Sequence, residues 1–151
     1  MSKLTTALML AASVGLAAGC AQTTDRSRAA SPTARTPLTA DQARAEHDRI
    51  EAVYKADKEA CDRFKDNTKD ICQAEAKAKE RVANAEVAYR ESGSDSDRMK
   101  LAETRANAEY DVAKERCEDR PRDAQELCKK DAKAAEMAAI SRAKMNTPSR
   151  Y

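Results

Sequence analysis

The chain has 151 residues, 36% of them charged and only 3% aromatic, with no tryptophan and a formal net charge of +2. Positive and negative side chains are mixed throughout, so the basic stripe that nucleic-acid binding requires is not seen. One histidine and three glycines leave neither a phosphate-cradling loop nor a histidine-centred catalytic constellation.

Residues 1–19 read as an export signal. Lys3 is the basic start, and Leu4 to Ala18 is an apolar run too short to span a bilayer comfortably. The run ends Leu16-Ala17-Ala18-Gly19-Cys20, which resembles the lipobox of bacterial lipoproteins, with Ala17 standing where that family prefers leucine. The resemblance implies that Cys20 is lipidated and becomes the first residue of the mature chain. The alternative is an ordinary secretory signal cut nearby, with Cys20 a spare thiol. Ala21 follows, not the aspartate that would imply inner-membrane retention, so the resemblance points to the outer membrane. Residues 20–38 then carry the lipid and form a flexible linker of Ala, Ser, Thr, Pro and Arg, too poor in large apolar side chains to fold.

From residue 39 the pattern is helical. Thr39-Ala-Asp-Gln42 is a capping box opening the first helix, on which Ile50, Val53, Tyr54, Ala60, Cys61 and Phe64 fall near one face. A second helix is expected from about Lys69 to Arg90, with a seam of Ile71, Ala78, Val82, Ala85 and Tyr89. Ser92 to Ser96 breaks the pattern. A third helix begins near Asp97 and carries Met99, Ala102, Ala106, Tyr110, Ala113 and Cys117. The fourth repeats the seam of the second, shifted by 56, at Leu127, Ala134, Ala138 and Met145. Residues 147–151 read as a tail. No segment alternates like a strand, so the fold class is all-α.

The shift of 56 is general. Cys61 and Cys72 recur as Cys117 and Cys128, and Ala52, Tyr54, Lys58, Glu59, Ala76, Lys77, Glu80 and Ala83 all recur at the same offset. A shared offset over about thirty residues marks a duplicated unit, giving a domain over 39–146 with repeats at 39–91 and 97–146.

Two geometries suit a pair of cysteines eleven positions apart. On one straight helix the sulfurs would share a face about 16 Å apart and could bond only a partner helix, as in the twin-cysteine hairpins of mitochondrial import substrates. If the chain reverses between them, each pair closes on itself. The intervening residues favour reversal. Asp66-Asn67-Thr68 prefer turns and caps, Pro121 disrupts a helix interior, and Asn67 and Asp123 read as N-caps followed by Asp70 and Glu126. Four cysteines allow three connectivities; the spacing favours Cys61–Cys72 with Cys117–Cys128. With Cys20 set aside the count is even, as an oxidising compartment would want. The expected architecture is two antiparallel helical hairpins, each stapled near its turn; whether they close into an elongated four-helix bundle is left open. The core is thin in bulky side chains, so the two staples matter.

No catalytic residue, metal ligand or cofactor is expected. His47 lies on a polar flank. Carboxylates such as Asp66 and Asp70 belong to a solvated surface. Structural zinc sites use cysteines two to four residues apart, and redox sites use Cys-x-x-Cys; ten intervening residues fit neither.

At Lys69-Asp-Ile-Cys-Gln-Ala-Glu-Ala-Lys-Ala78 the sequence resembles a group of small exported proteins of Proteobacteria with tandem Cys…Lys-Asp-(Ile/Val)-Cys-x-Ala-Glu-Ala-Lys-Ala units. The likeness spans roughly residues 40–145 and departs in the second unit, at Gln125-Glu-Leu-Cys-Lys-Lys-Asp-Ala-Lys-Ala134. It implies an exported helical protein and no particular activity.

The functional expectation is a non-catalytic lipoprotein of the outer membrane, facing the periplasm. It would be held by its lipid, and would contact envelope proteins as a structural or interaction module. Two other classes compete: an envelope stress or desiccation-protective helical protein, and a periplasmic module binding a small ligand or metal between the hairpins.

Overall fold

The structure, a computed structural model, describes residues 37–146. Four helices follow in order: α1 (Ala40–Cys61), α2 (Asp66–Ser92), α3 (Asp95–Cys117) and α4 (Arg122–Met145), with no strand among the described residues. None of these helices is long and apolar enough to cross a membrane. The expected signal segment, Cys20, most of the linker and the tail lie outside the described residues.

α1 opens with the expected capping box: Gln42 N–H donates to the Thr39 hydroxyl, and Thr39 N–H donates to the Gln42 carboxamide oxygen at 2.9 Å. This satisfies two backbone donors that a helix start leaves orphaned. Leu38 N–H donates to Arg90 O at 3.0 Å, tying the entry of α1 to the end of α2. Between α2 and α3 only Gly93 and Ser94 lie outside helices. Gly93 closes α2 in the left-handed region at φ 60°, where a side chain would be strained, and Ser94 caps α3.

The two stapled turns are near copies. Asp62 N–H donates to Glu59 O and Phe64 N–H to Cys61 O; 56 residues on, Glu118 N–H donates to Glu115 O and Arg120 N–H to Cys117 O. Each turn has four residues between helices. The expected caps differ from what forms. The residues preceding α2 and α4 are Lys65 and Pro121, neither with a side-chain cap. Asn67 and Asp123 are already inside their helices, because the short stapled turns start each helix earlier than the turn-forming residues suggest. The first turn admits this by placing Asp66 in the left-handed region at φ 49°. In the second, Pro121 enters extended at φ −54°.

Packing is sequential and antiparallel. α1 lies on α2, α2 on α3 and α3 on α4, and no other pair of helices touches among the described residues. The two hairpins therefore pack on each other through α2 and α3, and α1 and α4 are the flanks of the array. Two helices have two neighbours and two have one, which decides what is buried. α3 contributes Leu101, Ala106, Ala108, Val112 and Cys117 to the core, α2 contributes Ala76 and Val87, and α1 contributes Ala43 and Cys61.

The expected seams of all four helices are revised accordingly. The α4 residues Leu127, Ala134, Ala138 and Met145 face solvent; Leu127 is 60% and Met145 76% exposed. α4 packs through the opposite face, with Cys128, Ala132, Ala139, Ile140 and Ala143 half-buried and Glu136 buried. Val53 and Ala60 of α1 are also exposed. The seams expected for α2 and α3 were each one of two: Ala76 and Val87 form a second on α2, and Leu101, Ala108 and Val112 a second on α3.

Candidate functional site

The staples come first, because they hold the rest. Cys61 is the last residue of α1 and Cys72 lies in the second turn of α2; Cys117 and Cys128 hold the same places on α3 and α4. Each pair forms a disulfide, with Cα atoms 5.6 Å apart in the first and 5.8 Å in the second. Cys61 and Cys117 are fully buried. Beside the first staple, Lys69 Nζ lies 2.8 Å from Asp62 Oδ1, and its hydrogen bond holds the Asp62 carboxyl below the usual carboxylate range. Beside the second, Lys129 Nζ lies 2.8 Å from Glu118 Oε1, which holds that ammonium above the usual lysine range.

The two stapled ends are joined. Asn67, read from sequence as a cap, instead donates its Nδ2 to Glu115 O at 3.0 Å, reaching from the first turn to the last turn of α3. That carbonyl already accepts from Glu118 N–H. No local pattern could have signalled a partner 48 residues away.

Between α2 and α3, three ion pairs run along the contact. Glu75 meets Arg116 at 2.6 Å, Arg81 meets Asp111 at 2.5 Å, and Glu86 meets Arg105. They flank a seam in which Ala78 and Val82 stand opposite Ala108 and Val112. Small side chains let the backbones approach, and the charged pairs fix the register.

The α1–α2 contact is looser. An open groove of about 550 Å³ runs along it, lined by His47, Tyr54, Lys55, Lys58, Glu80 and Asn84 among others. His47 Nδ1 lies 2.7 Å from Asn84 Oδ1, so the lone histidine bridges the two helices while staying exposed. Two of the charges along the groove pair with each other, and a third covers a ring. Lys55 Nζ stands 2.7 Å from Glu51 Oε1, lowering the glutamate and raising the lysine from their ordinary values, and Lys58 lies over the Tyr54 ring at 5.6 Å. A smaller cleft of about 220 Å³ is mostly apolar, with Ile50, Val53, Tyr54, Ala76 and Ala83 on its walls.

In the second hairpin the matching positions make different contacts. Lys133 lies over the Tyr110 ring at 4.9 Å and 2.5 Å from Glu136 Oε2, and that glutamate's hydrogen bond holds the lysine above its usual range. Glu136 is buried where its counterpart Glu80 is only half-buried.

Among the described residues no three of His, Cys, Asp and Glu gather as a metal site would need. Asp66 and Asp70 are both exposed. Of the residues singled out from sequence, the structure brings together Cys61 with Cys72 and Cys117 with Cys128, while Cys20 is outside the described residues. No family profile matches the chain, and neither the curated proteins nor the solved structures give a match.

Proposed function

We propose that this chain is a non-catalytic, lipid-anchored protein of the outer membrane that faces the periplasm and acts as a structural or interaction module among envelope proteins. The observation that carries the reading is the pair of self-closed disulfides: cysteines joined within each hairpin suit an oxidising compartment. They leave Cys20 as the one odd thiol, directly after the small residues Ala17-Ala18-Gly19. An acyl chain on that sulfur would hold the helical array at a membrane without a spanning helix. The array suits binding by its surface more than by a cavity, since its grooves are open. The proteobacterial exported group that it resembles implies the same compartment.

The test is direct. Cells fed a labelled fatty acid should incorporate label into the wild-type chain, and the chain should fractionate with outer membranes. The Cys20→Ser variant should lose both the label and the membrane association while keeping both disulfides. Label retained by Cys20→Ser would sink the reading.

A second reading has one observation in its favour. The groove beside His47 is large enough for a small ligand, which fits a ligand-binding module. Its mark would be a rise in thermal midpoint with one member of a ligand panel, abolished by Tyr54→Ala.

A further inference from the structure

The internal duplication gives the free face of α4 a counterpart inside the molecule. α2 and α4 hold the same place in the repeat, 56 residues apart. The face of α2 that carries Cys72 and Ala76 turns toward α1, and its copy on α4, Cys128 and Ala132, turns toward α3. The other face of α2, with Ile71, Ala78, Val82 and Tyr89, meets α3. Its copy on α4 is Leu127, Ala134, Ala138 and Met145, and this face meets nothing among the described residues. Met137 lies beside it, 60% exposed. A surface that takes an antiparallel helix inside the molecule is thus presented a second time with no helix on it.

We infer that this face pairs with its own copy, α4 against α4, in an antiparallel two-fold dimer of the chain. Two self-associations have to be compared. A head-to-tail mode would place the exposed outer face of α1, with Ala45, Arg49, Ala52 and Ala56, on α4 as α3 sits on α2. The internal ion pairs do not survive that shift. Glu75–Arg116 becomes Asp131 opposite Ala60, Arg81–Asp111 becomes Met137 opposite Lys55, and Glu86–Arg105 becomes Arg142 opposite Arg49. Two salt bridges are lost and the third turns into a like-charge clash. A head-to-tail contact also leaves both ends unsatisfied and would propagate.

The two-fold mode has none of these faults. With the axis passing near residue 136, Leu127 faces Met145 of the second copy and Ala134 faces Ala138. Met137 meets its own copy close to the axis. Asp131 then lies against Ser141 and Arg142 of the second copy, and the symmetry makes that charge pair twice. Neither Asp131 nor Arg142 makes an ion pair among the described residues. Alanine at the central positions allows close approach, while leucine and methionine cover the ends.

The experiment is sedimentation equilibrium of the full chain in mild detergent. Wild type should be a dimer. Arg142→Asp should weaken it by about tenfold or more, because it sets two aspartates against each other twice. The reciprocal swap Asp131→Arg with Arg142→Asp should restore it, which a merely misfolded variant would not do. Under the head-to-tail mode Arg142→Asp would instead tighten association, since it would face Arg49. A photo-crosslinker at position 138 should trap the homodimer, and one at position 56 should not. A monomeric wild type, insensitivity to Arg142→Asp, tightening by it, or capture of a different protein from position 138 would each overturn the inference.

Discussion

Asp97 sits in the first turn of α3, where several donors converge on its carboxylate. The Ser92 hydroxyl donates to it at 2.6 Å and the Ser94 hydroxyl at 2.9 Å, and Lys100 Nζ lies 3.3 Å away. These contacts, Ser92 first, hold its carboxyl below the ordinary range of an aspartate. A lowered carboxylate stabilises the fold fully above its unfolded value, and that contribution is lost as pH falls through the folded value. Titration of Asp97 followed by carboxyl NMR should therefore give a midpoint below that of Asp in an unfolded peptide. Ser92→Ala should move the midpoint upward; a midpoint unmoved by that change would refute the assignment. At this scale the sequence was legible where partners are near. The Thr39–Gln42 box is visible in four residues, and so is the breaking power of Gly93. Asn67 was not legible, because its partner Glu115 comes from another hairpin.

Each helix carries more than its own periodicity shows. A single apolar stripe was read on each, which holds in part for α1, where Cys61 is buried but Val53 and Ala60 are exposed, and is misleading for α4. The duplicated unit encodes two faces, and only neighbours decide which is covered. α4 copies the sequence pattern of α2 but has one neighbour in place of two, so Leu127 and Met145 are outside while Glu136 is buried. The cysteine spacing was far more informative, since a separation of eleven across a turn admits a bond and along a straight helix does not. α1 leans heavily on its staple: its only buried side chains are Ala43 and Cys61, and its groove against α2 is open. Replacing Cys61 and Cys72 together by serine should cost about 2–3 kcal/mol. The loss should be local, with amide exchange rising across α1 well before α3. Replacing Cys117 and Cys128 should leave α1 protected. Uniform loss of protection in both variants would show that the array opens as one unit and that α1 is not held separately.

Across the described residues, the helical array has a polarity that no single helix displays. Both disulfides lie at one end of the array, together with the bridge from Asn67 to Glu115. Leu38, the Gly93 turn and the end of α4 lie at the other. The all-α class and the paired hairpins were legible from composition and repeats. The order in which hairpins pack was not, because alanine seams fit many neighbours equally well and the ion pairs that choose among them are scattered along the chain.

The clustering of both covalent links at one end governs how the protein would bear a pull. Load applied between Leu38 and Met145 enters at the unlinked end and peels α1 and α4 outward, one turn at a time. On reaching each sulfur bridge the tension crosses it and bypasses the ten residues between the two cysteines. Those two segments carry no force, so the oxidised chain should extend less than the reduced chain by roughly 30 Å per bridge. Single-molecule stretching before and after adding reductant would measure that difference, and equal lengths would mean that the bridges do not carry the strain.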